Sequence, residues 1–173
     1  MVIDYATTAR TELLDLYLGA NCKFFIGSVS GILGVPMAFR KPAIHTNFIC
    51  IGDYIKWLVS WQPHDMWIPK KFWLANERRF MTNSEIIEAE SGVLAGPWWR
   101  RETGIDLLEN TPEEILAVTM EMNARLNGTW ESRKEDEEMQ AQFWARYSPP
   151  WANALPRARI GAKFLRNHME LLE

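Results

Sequence analysis

Between Thr11 and Asn47 the chain switches twice from helical to strand-like hydrophobic spacing, and a turn built of glycine and serine separates the two switches. Thr11 to Ala20 carries Leu13, Leu14, Leu16, Tyr17 and Leu18 on a broad apolar face at helical spacing, with Gly19 and Asn21 as stop signals. Cys22 to Ile26 is a short apolar run closed by Gly27 and reads as a buried strand. The turn Gly27-Ser28-Val29-Ser30-Gly31 follows, then Ile32 to Phe39 as a short helix and Pro42 to Asn47 as a second strand. Helix, strand, polar turn, helix, strand is the rhythm of an α/β protein with a parallel sheet.

Downstream, Asp65 to Lys70 reads as a short third strand cut off by Pro69. Thr82 or Ser84 can cap a helix running through Glu90, with Gly92 behind it, and a loop is expected around Ala95-Gly96-Pro97. Ile105 to Leu108 extends as a strand or closes a loop. The strongest local pattern is Asn110-Thr111-Pro112-Glu113-Glu114: Thr111 is a good N-cap, Pro112 suits the first helical position, and Glu114 stands where a capping-box partner belongs. That helix should reach Leu126 and stop at Asn127-Gly128. A charged helix from Glu131 to Tyr147 and a final one from Ala158 to Leu172 complete the reading.

Length and charge narrow the function classes. The 173 residues suit one domain with a real core. The 19 basic against 22 acidic residues leave a net charge of -3, which argues against general nucleic-acid binding. Cys22 and Cys50 are too few for a disulfide framework, and no HExxH or CxxC spacing marks a metal site, so none is expected. The opening MVIDYATTARTELLDLYL lacks a basic region followed by an apolar stretch, and no run reaches the ~18 apolar residues of a membrane span. The expectation is a soluble cytoplasmic protein without a transmembrane segment, reaching the inner face of a membrane only through a partner. Nine tryptophans point first to core packing or an interface and second to stacking on sugar rings.

Chemistry concentrates in few places. The Gly27–Gly31 turn leaves a strand and opens a helix, so its amides should lie at the carboxyl end of the sheet, where free N–H groups attract phosphate and glycine permits close approach. The pattern is neither GxGxxG nor GxxxxGK[ST], and many such turns are merely turns. Pro36 either interrupts a helix that starts at Ser30 or lies in the first turn of one starting near Gly34. Asn47 ends the second strand, and His45 faces the same side of it, although a strand histidine is more often structural. His64-Asp65 precedes the third strand, but sequence neighbours seldom point together. His168, on the last helix, reads as structural or exposed. No GxSxG nucleophile elbow is present.

Taken in order, Val2-Ile3-Asp4-Tyr5-Ala6, Asp15 to Leu18, Phe24 to Gly31, Phe39-Arg40-Lys41-Pro42, Asp65 to Lys70, Asn110 to Ile115 and Arg159 to Leu165 resemble the C-terminal half of a bacterial glycosyltransferase family found among surface-polysaccharide genes. The likeness runs over almost the whole chain. It implies a GT-B architecture, in which two Rossmann-like domains enclose the active site and the C-terminal one holds a nucleotide-sugar donor, usually without a metal. Residues 1–130 would then be a partial Rossmann-like donor domain with a short parallel sheet, and 131–173 C-terminal helices packing on it. Gly27, Ser28, Val29, Ser30 and Gly31 match the family's strand-to-helix loop, which would face the donor diphosphate. Asn47 matches a polar residue at the next strand end, and His64 a histidine ahead of the Ile68-Pro69-Lys70 strand. In the family the first segment is internal, so the acceptor-binding domain with its catalytic base, and the first strands of the donor domain, are expected elsewhere. Two other classes remain: a non-catalytic interaction module whose partner supplies the other half, and a truncated gene product.

Overall fold

The computed structural model describes residues 2–28, 30–49, 64–90, 104–147 and 158–173. A one-turn helix α1 (Tyr5–Thr8) and helix α2 (Glu12–Asn21) lead into strand β1 (Phe25–Gly27). A 3-10 turn (Gly31–Leu33) and the five-residue helix α3 (Gly34–Ala38) then return the chain to β2 (Ala43–Phe48). Strand β3 (Met66–Pro69) follows, and the last strand of this layer, β7 (Arg159–Ile160), arrives from the C-terminal region. These four are parallel, in the order β1-β2-β3-β7. The α/β rhythm read from the first third of the sequence is therefore the observed one.

A second, antiparallel sheet was not foreseen. Lys71–Leu74 forms β4, paired on one side with β5 (Arg79–Phe80) and on the other with β6 (Ile105–Leu108). Pro69 does end β3, as expected, but the chain re-enters a strand two residues later. Helix α4 (Asn83–Glu90) begins with a capping box, since Thr82 Oγ1 accepts from the Glu85 amide while Glu85 accepts from the Thr82 amide. Helix α5 (Pro112–Leu126) has the expected form: Thr111 caps it, Pro112 opens it, Glu114 closes the box, and Gly128 at φ 70° follows its end.

Helix α6 (Lys134–Tyr147) starts three residues later than expected. The predicted final helix needs correction. Arg159 and Ile160 are extended, because β3 takes their backbone: the Arg159 amide donates to the Asp65 carbonyl and the Gly161 amide to the Trp67 carbonyl. Only Ala162–Asn167 is helical (α7), and a 3-10 turn (Met169–Leu172) ends the chain. The 131–173 segment thus supplies a strand as well as helices. One cluster joins its Phe143, Trp144, Ile160, Phe164 and Leu165 to Ile44, Trp67 and Ile68. The two ranges expected as donor domain and packing helices share that core. The expectations around Gly92 and Ala95-Gly96-Pro97, and Cys50, lie outside the described residues.

Candidate functional site

The sheet's polarity decides which expected residues can meet. Register sets Gly27 beside His45, His45 beside Trp67, and Trp67 beside Ile160, one row across four parallel strands. The loop after Gly27 therefore leaves from the carboxyl edge, where open α/β sheets hold ligands. A Cβ on Gly27 would stand 2.7 Å from Cε1 of the Phe25 ring, so any side chain there would have to displace that ring. Ser28 and Ser30 are exposed, and Ser30 is extended (φ -156°, ψ 163°) without capping the turn it precedes. A Cβ on Gly31 would meet nothing within 4 Å. Val29 lies outside the described residues.

The Pro36 question resolves in the second sense. The helix starts at Gly34, so Pro36 sits in its first turn, where its missing N–H costs nothing. Ser28 and Ser30 thus lie outside any helix or strand, and the first amides of the 3-10 turn, Gly31 and Ile32, precede any intrahelical partner. These amides and the two serine hydroxyls are the donors the loop itself offers. Arg40 and Lys41 precede β2 and so lie at the opposite, amino edge.

Asn47 is at the carboxyl edge as expected, yet its side chain is engaged. Its amide donates to Asn110 Oδ1 at 2.5 Å, its own Oδ1 accepts from the Asn110 amide at 2.6 Å, and Asn110 Nδ2 donates to the Pro69 carbonyl at 2.7 Å. The lock ties the ends of β2 and β3 to the turn before α5. Asn47 is left-handed at φ 52°, a conformation asparagine tolerates better than most residues, and the pairing of β2 with β3 shifts register there.

His64 does not join the loop. It is an exposed turn residue two positions before β3, at the amino edge of the sheet, away from Gly27–Gly31. Its neighbour Asp65 turns inward instead. Asp65 Oδ1 accepts from the Ala43 amide at 2.8 Å, and Oδ2 lies 3.4 Å from His45 Nε2, so the paired histidine is His45. Sequence adjacency pointed at the wrong partner; parallel register of β2 against β3 was the only available clue. Both residues are buried.

A second polar cluster ties the antiparallel sheet to the C-terminus. Glu114 accepts from Lys71 Nζ at 2.8 Å and lies 2.9 Å from His168 Nε2, while His168 Nδ1 lies 2.9 Å from Glu170. Burial opposes a charge on His168, but its bonds to Glu170 and Glu114 outweigh burial and raise its pKa. His168 is therefore a buried clasp. Among the described residues, no group of three or more His, Cys, Asp or Glu is placed to hold a metal ion, and no helix is long and apolar enough to cross a membrane. No family model, curated protein or solved structure matches the chain.

Proposed function

We propose that this chain is the donor-binding half of a glycosyltransferase and that the Gly27–Gly31 loop receives the diphosphate of a nucleotide sugar. The observation that carries the reading is the loop's position: it leaves the carboxyl edge of a parallel sheet with its serines exposed and Gly31 open. Amides of Gly31 and Ile32 and the hydroxyls of Ser28 and Ser30 would donate to phosphate oxygens. As the sugar leaves, negative charge grows on the nucleoside diphosphate, and donors already in place stabilise it. An acceptor hydroxyl, deprotonated by a base on a separate acceptor-binding domain, attacks the anomeric carbon. No metal is called on. Asn47 serves this site by fixing the strand end rather than by touching the donor, and His64 takes no part.

Calorimetric titration of nucleoside diphosphates and nucleotide sugars tests the reading. One nucleotide should bind, and Ser28→Ala/Ser30→Ala should weaken it by about a hundredfold, since each hydrogen bond to a charged phosphate oxygen is worth about 1.5 kcal/mol or more. Binding unaffected by that change would remove the loop from the site. Sugar transfer by this chain alone would overturn the assignment of the base to another domain.

A specific observation also favours the interaction-module reading. Of the thirteen exposed large hydrophobics among the described residues, nine (Val2, Ile3, Leu13, Leu16, Tyr17, Leu18, Ile26, Ile32 and Phe39) precede residue 40. Exposed apolar residues scattered singly are ordinary, whereas nine within the first forty positions offer the material for a contact surface. The two readings are compatible if the covering body is the acceptor-binding half.

A further inference from the structure

We infer that His45, Asp65 and Trp67 form a binding site for a single hydroxyl group on one face of the parallel sheet. The inference stands apart from the donor reading and uses different atoms. His45 and Trp67 are register partners on β2 and β3, so their side chains leave the same face of the sheet. Both are closed from solvent, at 3% and 0% exposure. His45 Nδ1 and Trp67 Nε1 are both buried without a hydrogen-bond partner among the protein's own groups. Around them stand rings: Phe48 edge-on to Trp67 at 5.7 Å, Phe143 at 5.7 Å and Trp144 at 6.0 Å.

The chemistry of the two nitrogens selects the ligand. An indole N–H only donates. Asp65 Oδ2 faces His45 Nε2, so the ring proton belongs on Nε2, and in that tautomer Nδ1 is an acceptor. Asp65 is itself held by the Ala43 amide, which fixes this tautomer. The group that satisfies both nitrogens must donate to one and accept from the other. A hydroxyl does so. A carboxylate has no proton for Nδ1, a phosphate would bring its negative charge against the Asp65 carboxylate, and an ammonium cannot accept from the indole. The hydroxyl belongs either to an internal water or to an alcohol of a bound polyol, and both present the same chemistry.

Nitrogen-15 NMR of the histidine and tryptophan side chains in the whole chain decides the matter. The expected result is a His45 ring protonated on Nε2 with Nδ1 hydrogen-bonded as an acceptor, and a Trp67 indole proton that exchanges with solvent at least a hundredfold more slowly than a free indole. Titration with D-glucose separates the sources: shifts of both nitrogens together mean a polyol hydroxyl, and no shift with a persistent water cross-peak to the indole means an internal water. A proton on Nδ1, or an indole exchanging as fast as a free one, would overturn the inference. Trp67→Phe adds a second readout, because losing the bridge should move the His45 Nδ1 resonance; an unmoved resonance in the folded variant also counts against the site.

Discussion

Asparagine at position 47 does two separable jobs, a left-handed backbone at φ 52° and a reciprocal hydrogen bond with Asn110. Asn47→Gly keeps the left-handed backbone and its own amide's bond to Asn110 Oδ1 but loses the acceptor for the Asn110 amide, so it should cost about 1–2 kcal/mol, whereas Asn47→Ala also strains the backbone and should cost about 2–4 kcal/mol. At roughly 2–4 °C per kcal/mol for a chain of this size, thermal unfolding would separate the two variants by several degrees. Equal midpoints of the two variants would mean that the left-handed backbone carries no cost, and a glycine variant as stable as the native chain would mean that the lock does not carry the strand end. The sequence placed Asn47 correctly but could not show that Asn110, sixty-three positions away, would occupy it. His168 supplies a pH prediction. Its folded pKa is raised above the ordinary 6.5, so its contribution is complete below 6.5 and is lost as pH rises through the folded value. Urea unfolding across that interval should show stability falling with pH in the native chain and a flatter profile in His168→Gln. The reading of His168 as structural or exposed was right in its first half; the clasp with Glu114 and Glu170 joins segments that no local pattern relates.

Elements with local determinants were legible, and those defined by distant backbone partners were not. Helix α5 was readable end to end because its cap, its first-turn proline and its terminal glycine are sequence neighbours. Replacing Thr111 by Ala removes one arm of that box and should cost about 1 kcal/mol, seen as a midpoint lower by roughly 2–4 °C. The box at α4 makes a parallel case in acid. Hydrogen bonds from Arg79 hold the Glu85 carboxyl down at about 2, so stability from Glu85 is present above the ordinary 4.5 and is lost as pH falls towards 2. Glu85→Gln should flatten the acid limb of the stability profile. By contrast β7 is only two residues long and exists because β3 pairs with it on one side and Gln140 on the other, Nε2 donating to the Ile160 carbonyl and Oε1 accepting from its amide. A glutamine inside a charged helix gives no sign that it serves as a strand's partner. The hairpin of β4 and β5 was missed for a related reason: β6, which completes that sheet, lies far along the chain.

At the scale of the molecule, the sheet's polarity, more than any single motif, sorts the expected site residues. It groups Gly27–Gly31 with the end of β2 at one edge and sends His64 to the other. That sorting needed the parallel register of β2 and β3, which periodicity alone does not contain. The exposed apolar residues before residue 40 belong to this scale too, since they concern what the whole chain packs against. Replacing Leu13 and Tyr17 by glutamate should leave the melting midpoint within about 1–2 °C, as both are exposed, while reducing concentration-dependent association in sedimentation. A variant that unfolds would instead place these side chains in the core. The central claim is that the Gly27–Gly31 loop binds the diphosphate of a nucleotide sugar. Its most direct test is thermal unfolding of the chain with a panel of nucleoside diphosphates and nucleotide sugars, alongside Gly31→Val. A ligand at a hundred times its dissociation constant adds about 2.7 kcal/mol, worth roughly 5–10 °C here. The account predicts such a rise with one nucleotide base and none in Gly31→Val, whose added side chain enters open space and leaves the fold intact. A cooperatively folded chain whose midpoint no member of the panel moves, or an equal rise in Gly31→Val, would contradict it.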